Sequence, residues 1–400
     1  MRSSAYDGAL LCAGVEVPYC RQAPEGTTGD LLARAFDAAL AQSGFTAREV
    51  DGLGVASFTL APDHAIDMAW RLGLSPRWCM DDCHGGASAI NLLQHAIRAI
   101  QSGDANVIVL LSGDRFEPAD FKRLVEHYNL TTRTWLRPLE SGGPNALFAM
   151  LTQRHAQRHG LSRADYGALC VAQREWAARN PQAVYRTPLS LDDYLHAPVV
   201  AEPLGRYDCV PVVCGANAVV VARADLAKPG HHVAVRALQC RYNTDHQAGD
   251  GLQTSLATLA PELWRAANAT PNDMDLACVY DDYPVMTLVQ LADLGFAPDG
   301  DLRALIARIA THAFPVNTSG GQLSAGQAGA AGGMHGLVEA ITQLRGAAGE
   351  RQVARARLAL VSGYGMVEYR YGMCANAVVL EAVQGEVHGE AQGEAQGEAP

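Results

Sequence analysis

The chain of 400 residues predicts an α/β fold made of two pseudo-symmetric halves. Three observations point to it. Short apolar runs of β character alternate with segments of helical periodicity, as in parallel sheets covered by helices. FTAREVDGLGVAS (45–57) lines up with ATPNDMDLACVYD (269–281), setting Thr46 on Thr270, Asp51 on Asp275 and Val55 on Val279. Each half also carries a strongly apolar helix followed by a strand that ends in Ser-Gly. Two matches in one order indicate an internal duplication rather than a repeat array.

The elements follow in turn. ALLCAGVEV (9–17) reads as a strand. Thr28 caps a helix to about Ser43, with Leu31, Leu32, Ala35, Phe36, Ala39 and Leu40 at helical spacing and Gly44 as its stop. VDGLGVAS (50–57) is a strand, a helix near 63–72 follows, and WCMDD (78–82) is the next strand. The helix from Gly86 to Ser102 is apolar on most sides and therefore buried. NVIVLLSG (106–113) closes the series. Its second-half counterparts are a helix from about 325 to 345 and ALVSG (359–363). Residues 115–200 contain polar stretches such as RTWLRPLESGGPN and PQAVYRTPLSLDD, expected to form an inserted lid. The expected division is 1–226, 227–383 and a disordered tail 384–400 of Gly/Glu/Ala/Gln composition with nothing to bury.

Composition limits the function classes. The net charge is −11, about −7 without the four glutamates of the tail, and 31 Lys+Arg face 42 Asp+Glu with no basic run. A nucleic-acid surface is not expected. No apolar run spans a bilayer and the N-terminus lacks a secretory pattern, so a cytoplasmic globular protein is expected. The ten cysteines are scattered without a CxxC pair, which suits reduced thiols better than disulfides or structural zinc.

Two loops can carry chemistry. The strand WCMDD runs into Cys83-His84-Gly85-Gly86, directly before the buried helix. Free N–H groups and the positive helix end there lower a thiol pKa and can receive an oxyanion, while the glycines admit a thioester. The alternative is a small buried residue in a tight turn. In the second half, Tyr280-Asp281-Asp282-Tyr283 follows a strand, and Asn317-Thr318-Ser319-Gly320-Gly321-Gln322 leads through Gln327 into the second apolar helix. Asn317 and Gln327 carry side chains able to polarise a substrate oxygen; the rest of that loop also suits a packed crossover.

The strand-C-x-x-G-helix element, YDDY, VNTSGGQLSAGQAGAAGG and PLGRYDCVPVVCGANAVVVA (203–222) together resemble the thiolase superfamily, nearest to sterol-carrier-type thiolases and the lipid-transfer-protein or thiolase-like aldolase branch. The resemblance covers about residues 8–382. It implies a five-layered αβαβα fold, a homodimer, and acyl transfer or C–C chemistry on acyl-CoA, with coenzyme A thioester as substrate and no bound cofactor. Cys83 matches the acyl-accepting cysteine and Gly86 the shared glycine. His84, Gly320 and Gly321 line the expected substrate site with Asn317. Gln327 stands where thiolases have a histidine, and glutamine cannot take a proton. Asp281 keeps an acid, and Ser362 or Cys374 takes the place of the second cysteine. In the aldolase branch tyrosines act as acid and base, and Tyr280, Tyr283, Tyr364, Tyr369 and Tyr371 are the candidates; a small zinc-ribbon and OB-fold partner accompanies such enzymes. Arg133, Arg137 and Arg186 in the lid are available to CoA phosphates. The leading expectation is a Cys83 acyl-thioester, with retro-aldol cleavage and a non-catalytic acyl-CoA-binding subunit as alternatives.

Overall fold

A computed structural model describes residues 4–139, 143–244, 250–365 and 373–384. The expected tail beyond 384, together with Tyr369 and Tyr371, lies outside the described residues. The strands are β1 (Ala9–Cys20), β2 (Gly52–Ala56), β3 (Trp78–Asp81), β4 (Val107–Asp114), β5 (Val199–Ala201), β6 (Leu204–Gly205), β7 (Cys214–Arg223), β8 (His231–Tyr242), β9 (Leu276–Val279), β10 (Leu358–Gly365) and β11 (Cys374–Gln384). The first-half helices are α1 (Thr28–Ser43), α2 (Ala65–Arg71) and α3 (Ser88–Ser102). Between β4 and β5 lie α4 (Pro118–Glu126), α5 (Pro144–His159), α6 (Arg163–Ala178) and α7 (Leu191–Leu195). The second half adds α8 (Leu256–Ala267), α9 (Pro284–Asp293), α10 (Leu302–Ala310), α11 (Gly321–Ala325) and α12 (Gly332–Leu344). No helix among the described residues is long and apolar enough to cross a membrane.

Among the described residues the large sheet runs β3-β2-β4-β7-β1-β8-β11-β10-β9, its two halves joined through the Leu11–Val233 pair of β1 and β8. Three apolar clusters show the layers. One packs α1 on β1, β2, β4 and β7. The second encloses α3 and α12 between the two halves, and the third packs α8, α9 and α10 on the far face of the second half. Helix, sheet, helix pair, sheet and helix make five layers, as expected. α3 is central because Ile90, Leu92, Leu93, Ile97 and Ile100 all turn inward; each such side chain contributes about 1.5–3 kcal/mol of burial.

The duplication is physical. Before β2 the Glu49 carboxylate accepts from the amide and hydroxyl of Thr46, and before β9 that of Asp273 accepts from the amide and hydroxyl of Thr270. Asp51 accepts from the amides of Asn106 and Val107 at the start of β4, as Asp275 accepts from those of Arg357 and Leu358 at the start of β10. Two boundaries differ from expectation: the second apolar helix, α12, begins at Gly332 rather than near 325, and Thr27, not Thr28, caps α1. Its backbone is extended and its hydroxyl accepts from the Asp30 amide at 3.3 Å, whereas Thr28 is already helical.

Candidate active site

β3 of the first half and β9 of the second each deliver a loop to the centre of the molecule. In the first half the chain turns through Cys83, His84 and a short 3-10 segment, Gly85–Ala87, into α3. The turn is clamped by Asp82, which accepts from the His84 amide at 2.9 Å and contacts its ring Nδ1 at 3.1 Å. Burial works to raise the Asp82 carboxyl, but the contacts from His84 and Ser88 outweigh it and hold it below the usual range. The hydrogen bond to Asp82 raises His84 in turn. This turn lies directly on β10: a Cβ on Gly365 would stand 1.8 Å from the His84 carbonyl oxygen, and one on Gly363 2.5 Å from that of Gly86. The first turn of α12 meets it from the other half, where a Cβ on Gly333 would come 2.7 Å from the Gly86 oxygen. The two helix entrances therefore do come together.

Gly86 is bare for a definite reason. A Cβ there would sit 2.5 Å from the ring of Tyr280 and 2.3 Å from the Tyr364 carbonyl oxygen. Tyr280 thus fills the space over the start of α3. Its hydroxyl accepts from Gln327 Nε2 at 2.7 Å, and its ring stands edge-on to that of Tyr364, centroids 5.1 Å apart. Tyr364 donates its hydroxyl to Asp282 Oδ1. Burial raises both phenols well above their usual range. The Asp282 carboxyl is pushed up to about 8, by burial first and by the charge of Asp281, with the Tyr364 hydroxyl acting against them. Tyr364 is buried, while Tyr280, Gln327 and His84 remain partly open and Cys83 is exposed. Phe58 and Tyr128 stand beside Gly85 at this entrance.

The structure corrects several expected roles. Asp281 does not join the tyrosines: it accepts from the amides of Gln322 and Leu323 at the start of α11 and from Gln173 Nε2, so it caps a helix. Asp282, on the other side of the chain, takes the place assigned to it. Tyr283 is buried, stacked on Phe148 with centroids 4.2 Å apart, and donates to Asn145 Oδ1 at 2.6 Å, tying α5 to α9. Ser362 is buried inside β10 and bonds Gln290 Oε1, which leaves no role as a second nucleophile. Cys374 opens β11, close to Asn91, and burial pushes its thiol up to about 12, far from a nucleophilic thiolate. Asn317 holds φ 51° and accepts from the Val279 amide at 2.8 Å, splinting β9. Gly320 and Gly321 have positive φ and no free space: a Cβ would meet Ala177 and the Asp281 carboxylate respectively. They shape a packed crossover and do not line an open site. Cys83, His84, Gly86, Tyr280, Gln327 and Tyr364 are the expected residues that share one region.

Asp282, Phe58 and Tyr128 are the neighbours that sequence reading did not assign. Alternation along an extended segment was the available signal for Asp282, since Tyr280 and Asp282 at i and i+2 share a face and Asp281 points away.

Residues 238–380 match the thiolase C-terminal domain-like family model. The chain is 32% identical over 339 residues to the 17-hydroxy-3-oxo-4-pregnene-20-carboxyl-CoA lyase of Mycobacterium tuberculosis, covering 79% of this chain and 86% of that one. It is 28% identical over 365 residues to a steroid side-chain-cleaving aldolase of Thermomonospora curvata, covering 86% and 92% of the two chains. Among solved structures, the Ltp2-ChsH2(DUF35) aldolase superposes with a TM-score of 0.80 at 24% identity over 94% of this chain and 98% of that one. The chain belongs to the thiolase superfamily of enzymes, in its lipid-transfer-protein and aldolase branch.

Proposed function

We propose that this enzyme cleaves β-hydroxyacyl-CoA thioesters by a retro-aldol reaction at the Tyr280–Tyr364 pair, rather than transferring an acyl group through Cys83. The observation that carries the reading is the unequal partnering of the two phenols. Tyr364 donates to a carboxyl group, so a proton it accepts can pass on to Asp282. Tyr280 receives a hydrogen bond from an amide, which steadies the phenolate left after it has given its proton away. One arm thus takes the substrate hydroxyl proton; the C–C bond then breaks, a ketone leaves, and Tyr280 protonates the enolate carbon of the shortened thioester. The amides of Gly85 and Gly86 ahead of α3 favour the thioester oxygen as negative charge develops on it, the Ala87 amide being held by the His84 oxygen. Two relatives named as a CoA lyase and an aldolase support this assignment, and their names suggest a steroid-derived acyl chain.

Homodimer formation belongs to the same proposal. Among the described residues β3 is the outer strand of the sheet, and α2 beside it exposes Ile66 and Trp70, 64% and 85% accessible. An unpaired edge with such neighbours suits pairing with a second copy. A small zinc-ribbon and OB-fold partner remains part of the reading, because the similar aldolase carries a DUF35 component in its name. Cytoplasmic location is retained only as an expectation.

The test is to incubate the protein, alone and with such a partner, with a steroid-derived β-hydroxyacyl-CoA and to separate products by mass spectrometry. Ketone plus shortened acyl-CoA, formed equally by Cys83→Ala, is the expected result. A radiolabelled acyl adduct that disappears in Cys83→Ala, without cleavage, returns the transferase reading; neither product returns the binding subunit.

A further inference from the structure

Three buried side chains form a line from β1 to the glycine loop, apart from the tyrosine pair. His335 Nδ1 lies 2.7 Å from a carboxylate oxygen of Glu16, and its Nε2 lies 2.7 Å from Ser319 Oγ. His335 and Ser319 are 4% and 3% exposed, and the Glu16 side chain 7%. Burial works to lower His335, but Glu16, with Glu339 and Asp281, outweighs it and raises the imidazole above its ordinary value. Tyr19 on β1 and Glu339 on α12 complete the titratable groups facing it, Glu339 being neutralised by Arg351. Ser319 Oγ also accepts from the Gly321 amide at 3.2 Å. With an imidazolium N–H on one lone pair and an amide on the other, its hydroxyl proton is free to donate elsewhere.

It has somewhere to donate. A cavity of about 10 Å³ lies beside it, walled by Tyr280, Asp281, Asn317, Ser319, Gln322 and His335. Two of these walls carry buried atoms without a partner among the described residues, the donor Asn317 Nδ2 and the acceptor Gln322 Oε1, on residues 3% and 1% exposed. The space suits one water molecule, and both atoms belong to residues that wall it. Gln322 Oε1 also lies beside Gly332, next to the side chain of Gln327, which holds the Tyr280 hydroxyl.

We propose that this cavity binds a permanent water that couples the Glu16–His335–Ser319 chain to Tyr280, making His335 a proton store that resets the tyrosine while product is still bound. The inference rests on the lyase reading. After Tyr280 has protonated the enolate it is a phenolate. His335 gives the Nε2 proton to Ser319, Ser319 gives its own to the water, and the water passes one to Tyr280, so each oxygen gains and loses one proton. Once product leaves, His335 is recharged from bulk water through partly open Tyr280, and the proton taken from the substrate leaves Asp282. No net proton is consumed. His335 touches no substrate and is a positioning and storage residue.

Two measurements test it. A high-resolution crystal structure of the full chain should show one ordered water between Asn317 and Gln322; an empty cavity overturns the proposal. In ¹⁵N-histidine-labelled protein the His335 titration should move by about half a pH unit or more in Tyr280→Phe and stay in place in Cys83→Ala. His335→Gln and Glu16→Gln, which keep hydrogen-bonding capacity, should each lower kcat roughly 10-fold with KM unchanged and flatten its pH dependence. A His335 signal blind to Tyr280→Phe overturns the coupling. Intact coupling in a protein that cleaves no β-hydroxyacyl-CoA overturns the lyase reading instead.

Discussion

The two helix entrances descend from one duplicated element and now do opposite work. At the start of α3 the glycines leave room that an aromatic ring from the other half fills, and Tyr280, Gln327 and His84 stay partly accessible. At the start of α11 and α12 the glycines are enclosed: Gly320 presses on Ala177, Gly321 on Asp281, and Asn317, Ser319 and Gln322 bond inward. The same backbone device, a glycine turn at a helix start, makes a reaction site where a side chain from outside enters and a rigid joint where its own loop fills the space. Composition cannot separate the two, because both turns are rich in Gly and small polar residues.

Substitutions at paired positions sharpen that contrast. Of these paired positions Gly86→Ala should give the larger effect on turnover, since the added methyl displaces Tyr280; a misplacement of about 1 Å lowers kcat roughly 100-fold. The measurement is turnover of a β-hydroxyacyl-CoA. Gly321→Ala should act mainly on stability, because a non-glycine residue at φ 61° that also abuts a carboxylate costs about 1–3 kcal/mol in chemical denaturation. Asp281→Ala belongs with it: the α11 amides and Gln173 lose their acceptor, for about 1–3 kcal/mol. Equal losses of turnover in Gly86→Ala and Gly321→Ala, each corrected for folded fraction, would erase the distinction.

The pH dependence is a smaller effect with a defined sign. Burial pushes the Asp282 carboxyl up to about 8 in the folded chain, above its unfolded value. Its contribution to stability is therefore fully present at acid pH and is lost as pH rises through about 8. Turnover should move the other way, since accepting the proton from Tyr364 requires the carboxylate. The wild-type kcat is expected to climb between about pH 6 and 9, and Asp282→Asn to be slow and flat over that range. The smallest effect is expected for Cys374→Ser, within about 2-fold in turnover, because the thiol is buried and protonated.

Much of the architecture was legible. Helical spacing in α1 and α3 placed both to within a residue or two, and the equivalence of Asp51 with Asp275 was visible because each performs the same amide-capping task. The site was less so. Asp281 and Asp282 differ by one position, and the direction of each depends on how the chain continues past Val279, where the Tyr280 amide still bonds the Ser362 oxygen. Tyr283 and Tyr364 look alike in sequence, yet one braces α5 and the other faces a carboxylate, which long-range packing decides. Glu16 and His335, 319 positions apart, share no local signal at all.

The central claim is that phenols rather than the exposed thiol perform the chemistry. The most direct measurement compares kcat of Tyr280→Phe and Cys83→Ala on one β-hydroxyacyl-CoA, with thermal midpoints recorded for both. A fall of about 10²–10⁴-fold for Tyr280→Phe and a change within about 2-fold for Cys83→Ala is the result expected. A Cys83→Ala protein that folds but is inactive, beside a Tyr280→Phe protein of near wild-type rate, would contradict it.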